Sequence, residues 1–313
     1  MRATTLGDLT LSGLMLGTVQ LGMPYGIANR SGQPSYETAR AIIACAYEGG
    51  VNCFDTAAAY GASEEVLGRA LAELGIAERV VVATKIQHLT GAASRRQASR
   101  MIEESVASSL RALRLDALPI CLFHLEQDFR YADCLAKLRD NGAVRLIGAS
   151  VMTPEATAEI LRSGPAEAIQ LPVNLLDQRF VRQGVLAEAR RRGTAVFARS
   201  VYLQGLLLMP EEDIPPQLRE ATPIRRKLAA VAAEAGMSLA ELAVRYVLGI
   251  AGMTCAVVGV ETVAQMRNNL TLFAKGPLDA VLMETIAGAV PDLPDRVLMP
   301  SQWFAGDAPH AGR

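Results

Sequence analysis

Apolar and polar positions along this 313-residue chain alternate between two patterns. Short runs rich in Val, Ile, Leu and Ala recur, and each is followed by a longer stretch whose apolar residues lie three and four apart. The first pattern predicts strands buried on both faces, the second amphipathic helices. Strands are expected at 14–18, 51–55, 80–84, 118–123, 145–149, 168–172, 195–198 and 255–258. Helices are expected at 36–48, 63–74, 94–113, 132–141, 154–162, 179–192, 224–235, 238–250, 262–273 and 278–289. Ahead of them, residues 1–12 alternate weakly around Leu6-Gly7-Asp8-Leu9. Gly-Asp suits a tight turn, so a small β-hairpin should precede the main fold as a plug or cover.

Eight short strands alternating with helices, with no long polar linker between them, predict an α/β fold: one (β/α)8 TIM barrel domain over residues 1–313. The hairpin, a C-terminal extra helix and a Gly/Ala/Pro-rich tail at 300–313 are its additions, with Trp303 and Phe304 expected to pack on the barrel. A doubly wound sheet is the main alternative. No G-x-G-x-x-G follows the first strand, which disfavours it.

Charge narrows the choice of partner. Lys plus Arg number 31 against 32 Asp plus Glu, so no basic field is available for nucleic acid or an anionic membrane, and small molecules are the expected ligands. The first residues lack the apolar core of a signal peptide, and the apolar stretch 243–260 is interrupted by Arg245, Gly249 and Gly252. A cytoplasmic location is therefore expected. Five cysteines lie singly in apolar segments with no C-x-x-C pair, which reads as reduced core thiols and no metal site. Nothing in the pattern bears on oligomeric state.

The chemistry starts from residues 51–69, VNCFDTAAAYGASEEVLGR. The strand delivers Asp55, whose carboxylate needs a partner if it is buried, because an unpaired buried charge is costly. Tyr60 follows after three alanines, and Ser63 is placed to cap the next helix. Lys85 ends the third predicted strand and His124 ends the run ICLFH, so all three strand-end groups and Tyr60 should meet at the C-terminal face of the barrel. Together they suit carbonyl chemistry. A phenol is a weak acid at neutral pH, and an adjacent ammonium favours its ionised form. Lys85 can supply that charge, Asp55 can hold Lys85, and a neutral His124 can orient a carbonyl oxygen. Taken singly, each residue also fits a structural ion pair or a satisfied core histidine.

The segment FDTA-x-x-Y-G-x-x-E-x-x-L-G resembles the aldo-keto reductase superfamily. That resemblance implies a catalytic tetrad of Asp55, Tyr60, Lys85 and His124 and an NAD(P)H-dependent reduction of an aldehyde or ketone. The polar content of the loops adds a hydroxylated substrate such as a sugar derivative to the candidates. The resemblance extends along the chain. LGTVQLG (16–22), which contains Thr18, is similar to the first-strand turn; IGAS ends at Ser150, and Ser150 with Gln170 would hold the nicotinamide carboxamide. QGLL, with Gln204, Gly205 and Leu206, resembles the loop after strand seven. VVGVETVAQMRNNL, with Gly259, Glu261, Gln265 and Asn269, looks like the cofactor clamp after strand eight.

Two positions depart from the family pattern. Arg199 stands where an aromatic residue usually stacks on the nicotinamide, bringing a positive charge beside the ring or towards an anionic substrate. Glu261 stands near the adenosine end, where it would repel a 2′-phosphate and accept a ribose hydroxyl. The resemblance implies NADPH; Glu261 keeps NADH open. Two other roles use the same fold: a nucleotide-sensing subunit, and an epimerase with tightly held cofactor. Substrate choice should lie in loops 19–35, 125–131 and 200–223 and in the tail, with Glu126, Arg130, Tyr202 and Trp303 as candidate contacts.

Overall fold

The eight apolar runs become the staves of one closed parallel barrel in the computed structural model, which describes residues 2–303. In chain order the staves are Leu14–Gly17, Cys53–Asp55, Val81–Lys85, Leu118–Phe123, Val144–Ser150, Ala168–Pro172, Ala195–Arg199 and Cys255–Gly259. The eighth pairs with both the first and the seventh, so the sheet has no open edge. Side chains pointing inward (Met15, Cys53, Val81, Ile120, Leu122, Phe197, Cys255 and Val257) form one apolar cluster. A second, larger cluster lies between the strands and the helices that surround them. This is the two-layer packing that a run apolar on both faces requires.

The hairpin forms as expected: Ala3–Leu6 pairs antiparallel with Leu9–Ser12. Gly7 takes φ +58° at the turn, a conformation natural to glycine. Leu9 and Leu11 are buried in the barrel-interior cluster beside residues from the strands' N-terminal halves, so the hairpin plugs the face opposite the strand ends. Asn52 pins it there. Its Oδ1 accepts from Ser12 N at 2.8 Å and its Nδ2 donates to Thr10 O at 2.7 Å. This linkage explains why the second strand starts at Cys53 rather than at residue 51: Val51 N closes the preceding helix on Ala46 O, and Asn52 serves the hairpin.

Two sequence expectations are corrected. The helix anticipated at 179–192 is two helices, Arg179–Arg182 and Val185–Arg192, separated where Gly184 takes φ +72°. Ser63 does not cap its helix; it is the first residue of Ser63–Glu73, with its hydroxyl enclosed between Thr18 and Thr56. Trp303 packs in the core, as expected, with Nε1 donating to Val297 O at 3.0 Å, while Phe304 and the rest of the tail fall outside the described residues. No helix among the described residues is long and apolar enough to cross a membrane.

Candidate active site

The register of the second and third strands brings an acid and a base together. Asp55 pairs with Ala83, which directs the carboxylate to the position reached by the Lys85 side chain two residues further along. Lys85 Nζ donates to Asp55 Oδ1 at 2.7 Å and to Thr56 O at 2.9 Å, and both side chains are almost sealed from solvent (1% and 6% exposed). Burial alone would push the ammonium down, but the Asp55 carboxylate and the Tyr60 oxygen outweigh it, and Lys85 is held above its ordinary pKa. Lys85 is therefore a fixed cation. Asp55 Oδ1 accepts a second hydrogen bond, from Gln170 Nε2 on the sixth strand, at 2.6 Å.

Tyr60 is brought over this pair by a loop that follows the third strand closely. Thr56 N donates to Ala83 O and Ala58 N to Lys85 O, so the three alanines run along the strand end. Gly22 packs directly beneath: a Cβ there would overlap the Tyr60 carbonyl. The Tyr60 ring centre lies 4.9 Å from Lys85 Nζ and 5.5 Å from the His124 ring, edge to face at 88°. Burial lowers the His124 pKa to about 2, with Lys85, His88 and Arg199 adding repulsion, so the imidazole is neutral throughout the physiological range. The four side chains thus meet in one volume at the strand ends. They comprise a phenol, a locked ammonium with its carboxylate, and a neutral imidazole: groups whose chemistry allows proton donation, stabilisation of a phenolate, and a hydrogen bond to an oxygen.

The residues singled out for a nicotinamide cofactor divide into two groups. Ser150 ends the fifth strand and pairs in direct register with Gln170, the middle residue of the sixth. Gln170 Oε1 is buried with no partner, and the Ser150 hydroxyl makes no hydrogen bond to any described residue. An orphaned buried carbonyl oxygen beside a free hydroxyl fits a primary carboxamide. Arg199 ends the seventh strand, half-buried, with Nη2 donating to Val151 O at 3.2 Å, so its guanidinium crosses the end of the sixth strand. Glu261 is half-buried and faces Gln20 Nε2 at 3.5 Å; no cation pairs with it among the described residues. Gly259 lies against the Gln20 amide, which a Cβ would overlap.

The others are engaged within the protein. Gln265 Oε1 accepts from Glu261 N and Thr262 N and completes a capping box on Val263–Ala274. Asn269 Oδ1 accepts from Tyr202 OH at 2.8 Å. Gln204 Nε2 donates to Tyr25 OH, Gly205 turns the chain at φ +91°, and Leu206 is buried in the core. The Thr18 hydroxyl donates to Asp55 O from a fully buried position, which supports the second strand end from below. Of the loop candidates, Glu126 accepts from Met152 N at 2.7 Å and ties two rim loops together, and Arg130 lies over Tyr131.

Three residues at the site were not singled out from sequence. Tyr25 reaches in from the loop after the first strand; burial, then Tyr60, raises its pKa, with Arg199 acting against them. Gln20 covers Gly259. His88, three residues beyond Lys85, stands edge to face with His124, ring centres 4.7 Å apart at 75°. Its place just past a strand end was the available signal.

The model of the Aldo/keto reductase family matches residues 13–290. The chain is 27% identical over 293 residues to the aldo-keto reductase YhdN of Bacillus subtilis (strain 168), covering 85% of this chain and 87% of that one. It is 30% identical over 221 residues to the NADH-specific methylglyoxal reductase of Escherichia coli (strain K12), covering 64% and 66%. Among solved structures, the holo form of aldo-keto reductase AKR11C1 from Bacillus halodurans superposes with a TM-score of 0.76 at 23% identity, covering 95% of this chain and 99% of that one.

Proposed function

Since this chain belongs to the aldo/keto reductase family, we propose that it is an oxidoreductase that uses NADH or NADPH to reduce a small aldehyde or ketone to an alcohol. The observation that carries this reading is the buried Lys85–Asp55 pair beneath the Tyr60 ring. When bound, the reduced nicotinamide would supply a hydride to the carbonyl carbon. Ser150 and Gln170 would hold its carboxamide, and Gln204 to Leu206, Glu261 and Asn269 would lie along its remainder.

Within the protein, Tyr60 gives its phenolic proton to the carbonyl oxygen as negative charge develops there. The Lys85 ammonium stabilises the phenolate left behind, and Asp55 keeps that ammonium charged and in place. His124, neutral at working pH, donates a hydrogen bond that orients the same oxygen. Glu261 favours NADH, because a carboxylate without a cation partner repels a 2′-phosphate and accepts a ribose hydroxyl. A relative named for NADH specificity agrees with that preference.

The test is a titration of purified protein with NADH and NADPH, followed by nicotinamide fluorescence, together with turnover of methylglyoxal and glyceraldehyde by wild type and Tyr60→Phe. Saturable binding in both proteins, with turnover in wild type alone, is the expected result. Equal turnover by Tyr60→Phe would remove the phenol from its role, and binding of neither nucleotide would overturn the reductase reading.

A further inference from the structure

His124 and His88 present matching deficits. His124 Nδ1 is buried and has no hydrogen-bond partner, and so is His88 Nε2. The two rings stand edge to face with centres 4.7 Å apart. His88 is held there by its neighbours. Ile86 N donates to Leu122 O at 3.0 Å, Gln87 N to Ser105 Oγ at 2.9 Å, Gln87 Nε2 to Ala58 O at 2.8 Å and Leu89 N to Asp128 Oδ2 at 3.2 Å. A loop tied on both sides of one imidazole, to four different segments, directs that imidazole to the rim of the site.

A neutral imidazole carries its proton on one nitrogen and a lone pair on the other. With Nδ1 closed off, a substrate oxygen meets His124 at Nε2, and only the tautomer with the proton on Nε2 can donate to it. In that tautomer Nδ1 is a buried acceptor that needs a donor, since leaving it bare costs about as much as a lost hydrogen bond. His88 Nε2 is a donor whenever it carries a proton, and it lacks an acceptor. The two nitrogens are not hydrogen-bonded to each other as the rings stand; we propose that His88 is a positioning residue that sets the tautomer of His124: a small turn of its ring brings Nε2–H to donate to His124 Nδ1, and so keeps the His124 proton on the nitrogen that faces the carbonyl. This rests on the reading of His124 as the group that orients the substrate.

The experiment is 15N NMR of the imidazole nitrogens near pH 7.5 in the full chain without substrate. The chain has only three histidines, so single variants assign the signals. Wild-type His124 should be in the Nε2–H form; an Nδ1–H form in wild type would overturn the proposal without any variant. His88→Phe keeps the ring contact but removes the donor, and the ratio of Nε2–H to Nδ1–H at His124 should fall about tenfold, the weight of one neutral hydrogen bond. In parallel, kcat/KM for carbonyl reduction should fall about tenfold with cofactor affinity unchanged, and His88→Gln, whose amide N–H can reach the same place, should restore much of it. A purely structural role gives the opposite order, Phe tolerated and Gln not. That order, or an unchanged tautomer ratio in His88→Phe, would sink the idea. The NMR result does not depend on turnover, so failure of the reductase reading would be seen separately, in Tyr60→Phe.

Discussion

Gln170 and Asp55 are joined by a 2.6 Å hydrogen bond, and the carboxylate oxygen that accepts it is the one that holds Lys85. An ionised carboxylate only accepts, so the contact fixes the orientation of the amide: Nε2 towards Asp55, Oε1 away from it. The oxygen turned away is buried and unpartnered. One side chain thus braces the acid–base pair and presents an acceptor suited to a carboxamide N–H.

Gln170→Leu should lose both contacts. Cofactor affinity is expected to fall about tenfold, the effect of one hydrogen bond to a buried group, whereas Tyr60→Phe should leave it nearly unchanged. Fluorescence titration of the two variants side by side checks this. Equal affinities in Gln170→Leu and wild type would place the carboxamide elsewhere.

Lys85→Met should be strongly destabilising because it leaves the Asp55 carboxylate buried and uncompensated, at a cost of about 3–5 kcal/mol. Replacing both partners, as Lys85→Met with Asp55→Asn, should recover a large part of that loss while activity stays abolished. Urea unfolding of the single and double variants separates the two effects. A double variant no more stable than the single one would mean that the carboxylate is not charged in the fold.

The barrel and the four central groups were legible because both follow from local rules. Apolar runs buried on both faces marked the staves, and Leu118–Phe123 and Ala168–Pro172 came out with their predicted ends. A strand-end Asp, Lys and His then had to face one another once the ring closed. What stayed hidden depends on contacts between distant segments. His88 and Tyr25 sit on loops whose direction is set by partners such as Ser105, Asp128 and Gln204, far away in sequence. Ser63 looked like a helix cap because its neighbours in sequence allow that role, whereas the hydroxyls of Thr18 and Thr56 claim it in the fold. Gln265 shows the converse: a polar residue counted towards a ligand is engaged in capping its own helix.

Glu261→Arg should shift nucleotide preference towards NADPH. Among the described residues the wild-type carboxylate has the neutral Gln20 amide beside it and no cation, so the substitution exchanges repulsion of a 2′-phosphate for a charge-assisted bond to it. The ratio of NADPH to NADH affinity is expected to rise by about tenfold or more, since hydrogen bonds to charged groups exceed neutral ones. An unmoved ratio would show that the adenosine end lies away from this position.

His124 should make the protein's stability depend on pH above the range where carboxylates titrate. Its ordinary pKa is 6.5 and its pKa in the fold is about 2, chiefly through burial. Between those values the unfolded chain binds a proton that the folded chain refuses, so stability falls as the pH falls. The slope is about 1.4 kcal/mol per pH unit once the pH is well below 6.5, giving a loss of about 2 kcal/mol between pH 7 and pH 5. Ion-paired carboxylates such as Glu73, Asp133, Glu188 and Glu211 are held below their ordinary values. Their contributions disappear only at lower pH, whereas buried Glu64, held above its ordinary value chiefly by burial, takes up its proton earlier and acts in the opposite sense, so the difference between wild type and a variant isolates the imidazole. His124→Gln cannot take up that proton in either state, and its stability should change by about 2 kcal/mol less than wild type over the same interval. Urea unfolding at the two pH values measures the difference. If wild type and variant lose stability equally, His124 accepts a proton in the fold, and a cationic rather than neutral imidazole would face the carbonyl oxygen.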